Sequence, residues 1–80
     1  MSYYVYILEC SDHTYYTGST NDIEKRLLAH NTSKNGAKYT RGRRPVKLIY
    51  SEKLKTKSKA FSREWEIKKM KRGEKLGLIK

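Results

Sequence analysis

Tyr3–Ser19 reads YYVYILECSDHTYYTGS, two runs of aromatic and β-branched residues separated by a polar turn. The first run, Tyr3–Glu9, has the composition of a strand. Strand side chains alternate, so Tyr4, Tyr6 and Leu8 share one face while Tyr3, Val5 and Ile7 share the other. Both faces are apolar, which is the pattern of a central strand covered on both sides. Cys10–Thr14 (CSDHT) supplies a turn and Tyr15–Ser19 (YYTGS) a second, shorter strand, so the two runs form an antiparallel hairpin. Gly18 within that strand marks either a bulge or a close approach to the backbone.

Beyond the hairpin, the spacing predicts a helix from Asp22 to about His30, with Asn21 as N-cap and Glu24 completing a capping box. Ile23 and Leu27 form its buried stripe. Asn31–Arg44, rich in Gly, Ser, Asn and Lys, reads as a loop or a short helical turn. Pro45 introduces Val46–Ser51 (VKLIYS), a third strand. A second helix covers Lys59–Met70, capped by Thr56 or Ser58 and broken by Gly73, and Glu74–Ile79 adds a last turn. The order β-β-α-β-α predicts one α+β domain over residues 1–80, with helices flanking a three-stranded antiparallel sheet.

The net charge of +11 is unevenly spread. Residues 1–33 hold two cations (Lys25, Arg26) against four anions; the rest hold 17 of the 19 cations against the other four anions. That field attracts a polyanion, DNA or RNA above all. A membrane surface is disfavoured, because no Lys-rich helix carries an unbroken, broad apolar face. Cys10 is single, so no intramolecular disulfide is possible and a cytoplasmic location is expected. One Cys and two His leave a zinc site short of ligands. The start of the chain lacks a signal-peptide pattern, and no apolar stretch approaches membrane-spanning length. So short a chain builds one thin core without a large cavity, which suits a monomer with a shallow groove for a polymer better than a pocket for a small-molecule cofactor.

Against this background Glu64 stands out. On a helical wheel it falls between Ile67 and Phe61, with Trp65 beyond, in the middle of the apolar face of the second helix. A lone carboxylate there costs several kcal/mol, by the usual order of magnitude, unless a cation meets it. Either Lys68, four residues on, pairs with it, or Glu64 is a metal ligand or an acid–base group.

Tyr6 and Tyr16 lie on paired strands, where their hydroxyls can approach each other. The helix after the hairpin carries Arg26 and His30, four apart, and the later helix carries Glu64. With YVY (Tyr4–Tyr6), YTG (Tyr16–Gly18), the Asp22, Arg26, His30 spacing, AKYTRGRRPV (Ala37–Val46) and AFSREWEIKK (Ala60–Lys69), nearly the whole chain resembles a GIY-YIG nuclease domain of the small stand-alone bacterial kind. The resemblance implies a divalent metal and hydrolysis of DNA phosphodiesters. It puts the two motif tyrosines on Tyr6 and Tyr16, the helical arginine on Arg26, a frequent helical histidine on His30 and the metal-binding glutamate on Glu64. The sequence departs from the pattern at Tyr4 and Val5, where the family often has Gly and Ile, at Thr17 for Ile, and at Ser19, where some relatives have Lys.

These roles are chemically coherent. One Mg²⁺ or Mn²⁺ keeps several waters, so a single carboxylate and a substrate phosphate suffice to hold it. Arg26 can contact phosphate oxygens bidentately and stabilise charge growing at phosphorus. The cations around Tyr6 are expected to lower its pKa so that it orients or deprotonates the attacking water, with Tyr16 positioning water or phosphate and His30 relaying protons. Lys38, Arg41, Arg43 and Arg44, with Tyr39 among them, read as a loop that grips a nucleic-acid strand. Each residue also has a plainer role: tyrosines pack a thin sheet, Arg26 pairs with Asp22, and His30 faces a helix dipole. The expected activity is structure-selective DNA cleavage, as in DNA repair. The rival functions are a catalytically silent nucleic-acid-binding module and an accessory protein of a ribosome or repair complex.

Overall fold

The computed structural model describes residues 2–32, 40 and 42–79. The described elements run β1 (Tyr3–Glu9), β2 (Tyr15–Thr20), α1 (Ile23–Thr32), β3 (Lys47–Leu54), α2 (Lys57–Lys69) and α3 (Arg72–Ile79). The sheet is antiparallel with order β2-β1-β3, so the doubly apolar strand β1 is central, as its two faces require. β3 runs three residues beyond the expected Ser51 because β1 offers partners along its whole length, as far as Tyr3 against Leu54.

Each face of the sheet has its own small core. On one, Val5 and Ile7 pack with Ala60 and Ile67 of α2, with Tyr3, Tyr15, Ile49, Tyr50, Leu54, Met70 and Leu78 around them. On the other, Tyr6, Leu8, Cys10 and Val46 pack with Tyr16 and Leu27. A register shift between Ile7 and Leu8 leaves Ile49 as an extra residue in β3, since Ile7 faces Tyr50 and Leu8 faces Leu48. The bulge lets Ile49 and Tyr50, neighbours in sequence, join the same core.

Three local expectations need correction. Asp22, not Asn21, caps α1: its Oδ1 accepts from the Lys25 amide at 3.1 Å, while Glu24 is exposed in the first turn. The Asp side chain meets the first orphan amides from one position closer to the helix. The break after α2 falls at Met70, whose backbone is extended, and Gly73 lies inside α3. The apolar face of α2 is also narrower than the wheel implies. Ala60 and Ile67 are fully buried, but Phe61 and Trp65 are exposed, and Glu64 sits on the flank of the stripe. A three-stranded sheet covers only a thin strip of a helix, so residues a quarter-turn from its centre meet solvent. Thr56 is the N-cap of α2, its Oγ1 accepting from the Lys59 amide at 3.1 Å.

Two tethers position the helices. Asn31 at the end of α1 exchanges two hydrogen bonds with the Val46 backbone, at 3.0 and 2.8 Å, joining α1 to the start of β3. Arg63 of α2 donates through Nε to both carboxylate oxygens of Glu52 on β3, which also accepts from the Tyr50 hydroxyl at 2.6 Å. Glu64 follows Arg63 directly, so this ion pair sets its height above the sheet.

Candidate active site

Tyr6 is set by β1 and by the glycine opposite it. Gly18 is its cross-strand partner, and a Cβ there would lie 2.6 Å from the Tyr6 hydroxyl and 2.8 Å from Cζ. Of the two readings of Gly18, close approach is the one observed, and the absent side chain makes room for the Tyr6 ring. Tyr6 is thereby buried, and its hydroxyl lies 3.0 Å from His30 Nε2. His30, in the last turn of α1, is fully buried, and its Nδ1 lies 3.0 Å from Thr40 Oγ1. The Arg44 side chain donates through Nε to the His30 carbonyl.

Arg26 hydrogen-bonds the Tyr6 hydroxyl. Since a guanidinium only donates, the phenol oxygen accepts from Arg26, and the arrangement that also gives the buried phenol proton an acceptor directs it to His30 Nε2. His30 then carries its ring proton on Nδ1, directed at Thr40. The result is a continuous chain, Arg26 to Tyr6 to His30 to Thr40, in which every buried polar group has a partner. Tyr16 completes the cluster, its ring centroid 6.4 Å from that of Tyr6 and 5.1 Å from that of His30, edge to face with the imidazole.

The electrostatics reverse one expectation. Burial pushes the Tyr6 hydroxyl up to about 12, and the opposing hydrogen bond from Arg26 does not offset it. Water removed from around a phenolate costs more than one partly exposed guanidinium returns. Burial, then the charges of Arg26 and Arg44, push His30 down to about 4. At neutral pH the pair is therefore a protonated phenol against a neutral imidazole. Tyr6 is not poised as a phenolate; it is poised as a donor whose acceptor is a neutral ring nitrogen.

Glu64 approaches from the other side of the sheet, within electrostatic reach of Tyr6. Its Oε1 accepts from the Ser19 hydroxyl at 2.7 Å, and its Oε2 pairs with Lys68 Nζ at 2.6 Å. The salt bridge considered for Lys68 is thus present, and Ser19 anchors the same carboxylate to β2. The carboxylate is partly exposed, and no group of three or more His, Cys, Asp and Glu side chains gathers among the described residues. That donor set fits a hard ion such as Mg²⁺ or Mn²⁺, which accepts one protein carboxylate and fills its shell with water and phosphate oxygens. It does not fit zinc, which needs three or four protein ligands.

An open groove of about 450 Å³ runs beside α1, with Arg26, Lys25 and Thr20 in its walls. Arg26 therefore touches both the buried chain and the open surface. Of the residues expected to grip a strand, Lys38, Tyr39 and Arg41 lie outside the described residues. Arg43 forms an exposed ion pair with Asp12 at 3.0 Å and Arg44 reaches the His30 carbonyl, so both engage guanidinium nitrogens with other groups of the chain. Sequence reasoning missed Thr40 and the contact of Ser19 with Glu64. Thr40 sits among cations in the stretch Ala37–Val46, and nothing local marks it as the buried partner of a histidine.

Fold and cluster together define a small α+β domain of the GIY-YIG class. The model of the GIY-YIG catalytic domain matches residues 2–76, and the chain belongs to that family, whose members are generally endonucleases acting on nucleic acid. It is 62% identical over 77 residues to a UPF0213 protein of Syntrophus aciditrophicus, covering 96% of this chain and 88% of that one. It is 59% identical over 76 residues to the UPF0213 protein CPE1444 of Clostridium perfringens, covering 95% and 81%. The solution structure of the UPF0213 protein BH0048 from Bacillus halodurans superposes with a TM-score of 0.63 at 44% identity, over 99% of this chain and 83% of that one. The solution structure of EF2693 from E. faecalis gives 0.64 at 45% identity, over 94% and 79%. No described helix is long and apolar enough to cross a membrane.

Proposed function

We propose that this protein is a metal-dependent endonuclease that hydrolyses DNA phosphodiester bonds and selects its substrate by structure rather than by base sequence. The observation that carries the reading is the chain from Arg26 through Tyr6 to His30 and Thr40. It links a surface guanidinium, suited to a phosphate oxygen, to a neutral buried imidazole whose Nε2 holds the Tyr6 hydroxyl by a hydrogen bond. When phosphate draws Arg26 away from Tyr6, the phenol oxygen gains a free lone pair for an attacking water, and its own proton remains directed at His30 Nε2. Tyr6, still protonated and hydrogen-bonded to His30 Nε2, then orients the water through its free lone pair, while Thr40 holds the His30 tautomer in which Nε2 is the acceptor. Tyr16 fills the remaining side of the site and lines the path of the water.

Glu64 is the residue to hold one Mg²⁺ or Mn²⁺, which supplies positive charge against the phosphate. Lys68 must then release Oε2, and its ammonium becomes available to the nucleic acid. Lys38, Tyr39, Arg41, Arg43 and Arg44 are assigned to contact with the strand on their charge and their place in the sequence. A single buried Cys10 suits the cytoplasm, and the shallow groove suits flaps, nicks and unpaired ends of the kind that arise in DNA repair.

The test is a panel of labelled DNA forms incubated with Mg²⁺ or Mn²⁺. Cleavage of at least one form, lost in Glu64→Ala and in the presence of EDTA, is the expected result. No cleavage by the wild-type protein, or equal cleavage by Glu64→Ala, overturns the reading. Metal-independent binding without cleavage would instead identify a silent nucleic-acid-binding module.

A further inference from the structure

Two of the largest apolar side chains in this small protein are outside its core. Phe61 is 54% exposed and Trp65 62% exposed, and they stand four residues apart on α2, on one face of the helix. Lys57 Nζ lies 5.5 Å from the centre of the Phe61 ring, and Lys69 Nζ lies 3.7 Å from that of Trp65. The rings are thus flanked by cations along the helix, and Lys68 projects between them and Glu64. Glu66, which lines the same open groove as the two rings, is engaged by Arg63 at 3.7 Å. Passing round α2 from the buried stripe, one meets Glu64, then Lys68, then Phe61 and Trp65.

We propose that Phe61 and Trp65 form a stacking platform for unpaired bases of a DNA strand whose backbone crosses Glu64. Aromatic faces bordered by ammonium groups match the two parts of a single strand, flat bases and a phosphate backbone. Duplex DNA hides its base faces in the stack and has nothing to offer the rings. A second copy of the chain is a poor occupant: two side chains fall far short of the roughly 800 Å² per partner of a stable interface, and the +11 charge opposes pairing of like faces. The platform deepens the nuclease reading by naming the substrate as a strand unpaired on the α2 side of the cleavage point.

Trp65 is the only tryptophan, so its fluorescence reports on the platform directly. The protein is titrated in EDTA with four probes of equal length: a DNA single strand, the duplex, an abasic strand that keeps the phosphates, and the RNA strand. Quenching by the DNA single strand is expected, with affinity about tenfold above that for the abasic strand and the duplex. Phe61→Ala and Trp65→Ala, both at exposed positions, are each expected to weaken single-strand binding about tenfold, by anisotropy of a labelled strand, with unchanged circular dichroism. Equal binding of the abasic strand or duplex, tighter binding of RNA, or unaltered affinity in both variants overturns the proposal. So does a dimer in sedimentation that Trp65→Ala dissociates. Because binding is measured without metal, the two readings fail separately. Quenching without any cleavage by the wild-type protein removes the nuclease, and Glu64-dependent cleavage without quenching removes the platform.

Discussion

Replacing His30 by Gln tests the buried Tyr6–His30–Thr40 chain through its proton. In the folded protein His30 titrates at about 4, whereas in the unfolded chain it has its ordinary value near 6.5. A depressed folded-state value means that the unfolded state binds the proton first as pH falls. Above about pH 6.5 the ring is neutral in both states and the native fold pays nothing for it. Between 6.5 and 4 stability is lost progressively, and below 4 the loss is complete. The gap corresponds to about 3 kcal/mol, an upper figure because the native state can relax around the charged ring. Gln keeps a polar side chain of similar reach but does not titrate. Urea denaturation of both proteins at pH 7, 5.5 and 4 isolates the effect, because the carboxylates and His13 are common to both and cancel in the difference. The wild type is expected to lose about 3 kcal/mol more than His30→Gln on going from pH 7 to pH 4. Parallel stability profiles would refute the burial and neutrality of His30, and with them its part as a hydrogen-bond acceptor for Tyr6.

The other predictions concern single contacts. Gly18→Ala places a methyl group 2.6 Å from the Tyr6 hydroxyl, so thermal melting should show a loss of about 1–3 kcal/mol, and an unchanged melting temperature would mean that Tyr6 does not pack there. Thr17 faces the Val5 and Ile7 core with its hydroxyl buried and without a hydrogen-bond partner among the described residues. Thr17→Val should therefore stabilise the fold by about 1 kcal/mol in denaturant titrations, and destabilisation would reveal a partner for that oxygen. Lys68→Met removes the cation 2.6 Å from Glu64, and Mn²⁺ affinity measured by electron paramagnetic resonance should rise about two- to fivefold, as expected for a half-exposed pair. Weaker or unchanged Mn²⁺ binding would show that Lys68 does not compete for the carboxylate.

Much of the architecture was legible because it is written in short-range patterns. The two apolar faces of Tyr3–Glu9 require a central strand, and the described sheet places it between β2 and β3. The resemblance carried by YVY, YTG and Arg26 led to the right family. Boundaries were less legible where neighbouring residues offered equivalent local signals. Asn21 and Asp22 are both good caps, and only the path of the chain from β2 into α1 selects Asp22. The wheel of α2 failed for a different reason: it counts apolar residues but not the width of the surface they pack against, so Phe61 and Trp65 looked like core.

Composition, alternation and spacing determined by themselves the α+β class and the hairpin, and the family resemblance carried by the motifs supplied the candidate site residues. Tertiary structure decided what those residues are. Tyr6 and His30 are 24 positions apart in the chain, and Ser19 and Glu64 are 45 apart, so neither contact has any local signature. The same holds for charge state. Counting cations along the chain suggests an acidified tyrosine, but the loss of water around Tyr6 outweighs the guanidinium beside it and leaves the phenol protonated. Desolvation depends on everything packed around a group, and that is fixed only when the sheet and α1 have closed over it.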